Sequence, residues 1–321
     1  MTAQATGSAV IDAPAPAPPR RGELVAANLG LSAMVLLWGS SFPVIERLLE
    51  SWDVLSVTAG RHLIGACTMV VILTLSERRL PFRRSLPWRK LIVLGVFGMA
   101  LSAVIMSLAI YYAGAVGAAV ISATGPIVAA LTARLVFAMP VFRGIVVGTV
   151  LAVGGGLVVV FGSGDVVEFK GGELLVMLST VTWTWYSIGA QRWLRGLTQL
   201  QIAALTMVPG AIALVTIAVI VSSTGLAALR VDFSPPTLAL LLYLGALPIG
   251  VGSWLWHYGV SRVGIHVATM YVNMIPIAAV LVAIAFGSLP GPHHLIGGII
   301  IVAGMSYSQF MARKRAGEAV N

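Results

Sequence analysis

The chain has 321 residues, of which 58% are hydrophobic and only 10% charged, and its formal net charge is +9. A soluble domain carries about 25% charged residues, so this composition excludes an ordinary water-soluble enzyme or binding module and places the chain in the integral membrane class. The basic excess does not point to nucleic acid. Most of its arginines and its three lysines lie in short segments between or at the ends of apolar runs, which suits attraction to anionic lipid headgroups.

Residues 1–22 are rich in Ala and Pro, including APAPAPP at 13–19. They read as a disordered cytoplasmic tail and lack the charged start and immediate apolar stretch of a secretory signal. A helix needs about 20 apolar residues to cross a bilayer. Ten such runs follow, at 27–47, 54–75, 91–112, 115–137, 144–162, 173–193, 201–222, 236–257, 264–286 and 294–312. Residues 313–321 form a short basic tail. The expected fold is therefore all-α and integral to the membrane, with ten transmembrane helices.

Basic residues in short loops mark the cytoplasmic side. With the N-terminus inside, 16 Lys and Arg residues fall in cytoplasmic segments, and Arg47, Lys170 and Arg230 fall outside. Arg61 lies within a run. Both termini are then cytoplasmic.

An internal repeat is the most informative feature. Residues 114–140 align without gaps on 264–290 at an offset of 150, pairing Gly114 with Gly264, Pro126 with Pro276 and Pro140 with Pro290. The offset continues through Gly148 and Gly298, and Gly154 and Gly304. At an offset of 145, Trp38 meets Trp183 and Arg47 meets Arg192. The expected units are 23–163 and 164–312. Each contains five helices, an odd number, so the second enters the membrane from the opposite side. Inverted repeats of this kind point to alternating-access transport.

The residues also carry a resemblance. LLWGSSFP at 36–43, Arg61 in the second run, the proline-centred fourth and ninth runs and the glycine-rich fifth and tenth resemble the drug/metabolite transporter superfamily, in its ten-helix, EamA-type branch. Within that branch the chain is similar to bacterial inner-membrane exporters of amino acids, aromatic ones included, and of related metabolites. The resemblance implies a central cavity between the halves, outward export of a small molecule, and a monomer or homodimer. Two relatives fit less well. Small multidrug exporters couple protons through a first-helix glutamate, whereas Leu36, Leu37 and Trp38 stand mid-helix here and Glu46 lies at the outer end. Nucleotide-sugar carriers need basic groups near their substrate, and no lysine lies inside a run.

Ionisable groups within a bilayer are costly and mark function. Arg61 and His62 stand out, two turns from the outer end of the second helix. Arg61 has two readings, a clamp for a carboxylate or a side chain bonding helix-end carbonyls or snorkelling to the interface. His62 is a candidate proton-sensitive group. Pro126 and Pro276 remove backbone donors and kink their helices, either as gates or as packing features, and Pro43 does the same in the first helix. Cavity candidates are Trp38 and Ser41 in the first helix and Ser122 in the fourth. Trp185 and Tyr186 in the sixth, Trp254 in the eighth, and Tyr271 and Asn273 in the ninth join them. A pocket of aromatics with a few polar groups suits an amphipathic small molecule, although Trp and Tyr also gather at membrane interfaces.

A membrane-embedded enzyme is the competing class. It needs paired acids, a zinc motif or a nucleophile with its base, and none is present. Cys67 is alone, and His293–His294 is weak evidence for metal. The chain is therefore expected to use no cofactor. A Walker-type loop is absent, so direct ATP use is not expected. Two modes of coupling stay open, a proton carried by His62 or facilitated movement down the substrate gradient.

Overall fold

The computed structural model describes residues 20–78, 85–138, 146–148, 150–151, 154–155, 157–158, 171–226, 228–263, 268, 271–272, 274–287 and 289–318. Among these, every regular element is a helix. This is what a lipid solvent demands, because an intramembrane N–H or C=O must find its partner inside its own segment.

Helix α1 spans Arg21–Leu49 and α2 spans Val54–Glu77. The chain is then helical from Trp88 to Ser122, but Gly114 has φ +72° and turns it back. We therefore separate α3 (88–113) from α4 (115–122), at the Ala113–Gly114 joint expected from the sequence. A further turn at residues 123–124 precedes α5, Gly125–Phe137. The run at 144–162 is helical wherever it is described. Then come α6 (Gly172–Trp193), α7 (Gln199–Ser223), α8 (Pro235–Val263), α9 (Ile275–Ala285) and α10 (Pro292–Glu318). Helix α10 continues past the predicted end at residue 312. Five of the described helices (α1, α2, the stretch 88–122, α7 and α8) are long and apolar enough to cross a membrane. Large apolar side chains such as Leu75, Leu135 and Ile299 stand on the outside of the bundle. In water such a surface would drive association, whereas in lipid it is the matching solvent.

Contacts at the two ends show that the helices run alternately. At one end, Glu46 accepts a hydrogen bond from Ala115 N–H at 2.8 Å, Asp53 N–H donates to Arg230 O, and Arg230 N–H donates to Asp53 Oδ2. At the other, Gln201 Nε2 donates to Glu77 at 2.5 Å, and Lys90 Nζ donates to the Trp193 carbonyl at 3.2 Å. We call these the upper and lower ends.

Two features were not anticipated from the sequence. Residues Leu94–Ala100 in α3 and Gly245–Val251 in α8 are π-helical turns. Such bulges widen a helix and leave carbonyls available. Prolines also behave differently by position. Pro43 sits buried inside an unbroken α1, whereas Pro126 and Pro276 occupy the first turn of α5 and α9. That position costs proline nothing, because its missing N–H would be unpaired there anyway. The fourth and ninth runs are thus broken rather than merely kinked.

Hydrogen bonds and close contacts recur at the offsets read from the sequence. Thr124 N–H donates to Ile121 O and Met274 N–H to Tyr271 O, both at 2.9 Å. Val128 N–H donates to Thr124 O, and Ala278 N–H to Met274 O. Asp53 caps α2 by accepting from Ser56 N–H, and Thr198 caps α7 by accepting from Gln201 N–H. Gly95 in α3 lies against Thr206 O and Gly210 in α7, while Gly245 in α8 lies against Arg61 O and Gly65 faces it from α2. Glycine is required at these crossings, since a side chain would keep the backbones apart.

Candidate functional site

The sequence LLWGSSFP at 36–43 is where α1 crosses α8 and α9. Trp38 Nε1 donates to the Pro248 carbonyl at 2.9 Å, an oxygen within the π turn, and its ring lies 6.0 Å from that of Trp256. A Cβ on Gly39 would come within 2.7 Å of Ala278, so α1 is pressed against the first turn of α9. Ser40 Oγ and Tyr243 OH share a hydrogen bond of 2.6 Å. Three successive residues thus dock one helix onto two others. Ser41 turns inward on its own helix and donates to Leu37 O.

A second polar cluster lies between α2 and α3. Thr58, Arg61 and His62 share one face of α2 at helical spacing. Arg61 Nη2 donates to Ser107 Oγ at 3.2 Å and approaches Ala103 O at 3.4 Å, and Thr58 Oγ1 lies 2.8 Å from Ser107 Oγ. His62 Nδ1 donates to the Thr58 carbonyl at 2.8 Å, which leaves Nε2 as the acceptor in the neutral ring. Arg61 is only 7% exposed and His62 only 6%. The snorkelling reading of Arg61 is therefore not what the fold shows, because its guanidinium stays inside and is held by neutral oxygens. Among the described residues its Nε has no partner.

Further polar bonds join α6 to its neighbours. Ser102 in α3 and Ser179 in α6 bond reciprocally, each hydroxyl donating to the other's carbonyl at 3.0 and 2.9 Å. Tyr186 is buried, with its OH 2.8 Å from Thr206 Oγ1 and its ring edge over Gly98.

The structure gathers some of the expected site residues and scatters others. Trp38 and Tyr186 each meet a π turn, and His62 lies beside Arg61. Ser122 donates to Ala119 O in the last turn of α4. Trp185 packs edge-on to Trp193 at the lower end. Trp254 is 39% exposed, and its ring stands over Tyr258, which in turn faces Arg262. Tyr271 donates to Asn28 Oδ1 at 2.7 Å, two turns above the start of α1. Asn273 lies outside the described residues, as do the side chain of Pro126 and residues 1–19. Sequence reasoning missed Thr58, Ser107, Tyr243 and Thr206. Only Thr58 had a readable signal, its i, i+3 and i+4 spacing to Arg61 and His62. Among the described residues no group of three or more His, Cys, Asp or Glu is placed to hold a metal.

The model of the EamA-like transporter family matches residues 25–161 and again residues 170–308. The chain belongs to the EamA-like transporter family. It is 25% identical over 295 residues to the uncharacterized transporter YdfC of Bacillus subtilis, covering 92% of this chain and 94% of that one. It is 24% identical to a probable terminal-alkyne amino-acid exporter of Streptantibioticus cattleyicolor, over 84% of this chain and 89% of the relative. An uncharacterized transporter of Archaeoglobus fulgidus is 26% identical, over 87% and 95% respectively. A crystal structure superposes with a TM-score of 0.64 at 19% identity, covering 90% of this chain and 99% of the other. At that identity the likeness establishes the fold. The EamA-like chain is thus a membrane transporter for a small molecule.

Proposed function

We propose that this EamA-like protein exports amino acids, with aromatic and other apolar ones favoured, from the cytoplasm across a bacterial inner membrane. It does so by alternating access between two inverted five-helix halves. The observation that carries the mechanism is the recurrence at the broken helices. Thr124–Ile121 and Met274–Tyr271 make the same bond 150 residues apart, and Gly95–Gly210 and Gly65–Gly245 make the same crossing. Two halves with equivalent contacts can exchange roles when the bundle rocks about its centre. The family model's two matches are in keeping with this division. Ten spans with both termini cytoplasmic accord with the basic residues at the lower end, where Arg20, Arg78, Lys90, Arg195 and Arg262 gather.

The substrate class is supported by the name of the Streptantibioticus relative and by aromatic groups close to the helix crossings, Trp38 and Tyr186 foremost. Uptake of labelled tryptophan, phenylalanine, threonine and lysine into proteoliposomes, with and without a pH gradient, tests it. Saturable uptake of the aromatic pair above lysine is expected. No uptake of any amino acid by folded protein would refute the substrate assignment and leave drugs or other metabolites as cargo. His62→Ala separates the two couplings. If His62 carries the proton, the variant loses its response to the gradient. An unchanged response removes His62 from the mechanism.

A further inference from the structure

Arg61 is a cation that the fold does not neutralise. It sits seven residues into α2, about 10 Å from the helix end at 1.5 Å per residue, and is 7% exposed. Its hydrogen bonds go to a serine hydroxyl and a peptide carbonyl, both through Nη2. Among the described residues, no carboxylate oxygen lies within salt-bridge distance of it. The acidic groups nearest in the chain are committed elsewhere. Asp53 caps α2 and bonds Arg230 N–H, Glu50 pairs with Arg47, and Glu46 accepts from Ala115 N–H. A buried charge left without a counter-charge is strongly destabilising. Such a residue is retained in a membrane helix for what it binds.

The repeat supplies an internal control. Position 206 in α7 corresponds to position 61 in α2 at the offset of 145. The backbone carbonyls of the two positions play the same part, Arg61 O against Gly245 and Thr206 O against Gly95. Yet the second half fills the position with a neutral threonine that bonds Tyr186 OH. The α2–α8 crossing therefore does not need a guanidinium for its packing, and the charge in the first half serves another end.

We propose that Arg61 anchors the carboxylate of the transported solute, with Ser107 Oγ and Ala103 O holding Nη2 and the rest of the guanidinium left for the ligand. The proposal rests on the reading of the chain as an exporter of carboxylate-bearing amino acids and assigns the group that recognises them. One guanidinium balances one negative charge, and its planar fork matches two carboxylate oxygens. A phosphate ester carries more charge than this single residue offsets. Ser107 Oγ takes only Nη2, and Thr58 bonds Ser107 rather than Arg61, so neutral groups hold the guanidinium without neutralising it.

The test uses purified protein in detergent and three probes of one shape, 3-phenylpropionate, 3-phenylpropionamide and phenethylamine. Thermal unfolding of the wild type is expected to shift upward with the acid alone. Arg61→Met keeps the length and apolar stem of the side chain. It should unfold at or above the wild-type temperature without ligand and respond to none of the probes. Arg61→Lys should keep a weaker response to the acid, since it keeps the charge and loses the fork. In proteoliposomes, Arg61→Met should raise KM for phenylalanine about tenfold or more, in line with loss of a charge-assisted bond, and phenylalaninamide should not compete in the wild type. Equal wild-type shifts by acid and amide, no shift by the acid, or misfolding of both variants would overturn the anchor and make Arg61 structural. The two assays separate the assignments. An Arg61-dependent response to 3-phenylpropionate without amino acid transport keeps the anchor and removes the substrate reading. Phenylalanine transport indifferent to Arg61→Met does the reverse.

Discussion

A methyl group placed on Gly95 would sit 2.3 Å from Thr206 O and 3.2 Å from Gly210 N. Both neighbours are backbone, so no side chain can rotate aside, and α3 must retreat from α7. Gly95→Ala is expected to cost about 1–3 kcal/mol, the usual price of overpacking. Gly154→Ala meets nothing within 4 Å and should change stability by less than about 0.5 kcal/mol. Thermal unfolding of the two variants against wild type checks this, and equal midpoints would mean that the crossing is looser than the structure has it. The same scale shows what a sequence conveys about individual side chains. Arg61 and His62 were legible because ionisable groups are rare in apolar runs. Their partners were not, since Ser107 reaches Arg61 from another helix and no spacing along the chain reports that. Trp38 was legible as notable, but not as a donor to a carbonyl of a π turn 210 residues away.

Between elements, the upper end is fastened by a clasp joining the α1–α2 turn to the strap before α8. Asp53 Oδ2 accepts from Arg230 N–H at 2.9 Å, Arg230 Nη2 donates to Leu49 O, and Trp52 Nε1 donates to Asp232 O. Within the strap, the hydroxyl and N–H of Ser234 hold the exposed Asp232 carboxyl below its ordinary pKa. A depressed carboxylate contributes stability above its unfolded pKa and loses it as the pH falls through the folded value, so the strap loosens on acidification. Asp53 does two jobs, since it also caps α2 through Ser56. Thr198 caps α7 in the same way without touching the strap. Thr198→Ala should therefore cost about 1 kcal/mol, and Asp53→Ala about 1 kcal/mol more for the lost clasp bond. Equal losses in chemical or thermal unfolding would show that the clasp contributes nothing. The starts of α2 and α7 fell within two residues of the predicted runs, where Asp53 and Thr198 are ordinary caps. The π turns and the breaks at 123–124 and 274 were not predicted, because glycine and proline within an apolar run signal a departure from α-helix without specifying its kind.

For the whole molecule, the membrane-spanning character was legible because a bilayer imposes one length on an apolar run, and the contacts that recur at offsets of 145 and 150 fall where the sequence spacing marked them. Which end faces the cytoplasm is a separate question, on which the charge distribution bears. The lower end carries Arg20, Arg21, Arg78, Arg89, Lys90, Arg192, Arg195 and Arg262, against Arg47 and Arg230 above. Each basic residue held near an anionic inner leaflet contributes about 1 kcal/mol, so the expected orientation puts this end in the cytoplasm. Cys67 is the single native cysteine and is exposed, so it is first replaced by alanine. Ser223→Cys at the upper end of α7 and Arg195→Cys in the turn before it are then introduced separately. A membrane-impermeant maleimide applied to intact spheroplasts should label position 223 and spare position 195, and permeabilisation should expose both. The reverse pattern would put the basic end outside and turn the proposed export into uptake. Labelling of both positions in intact cells would mean a mixed orientation, which the charge difference between the ends argues against.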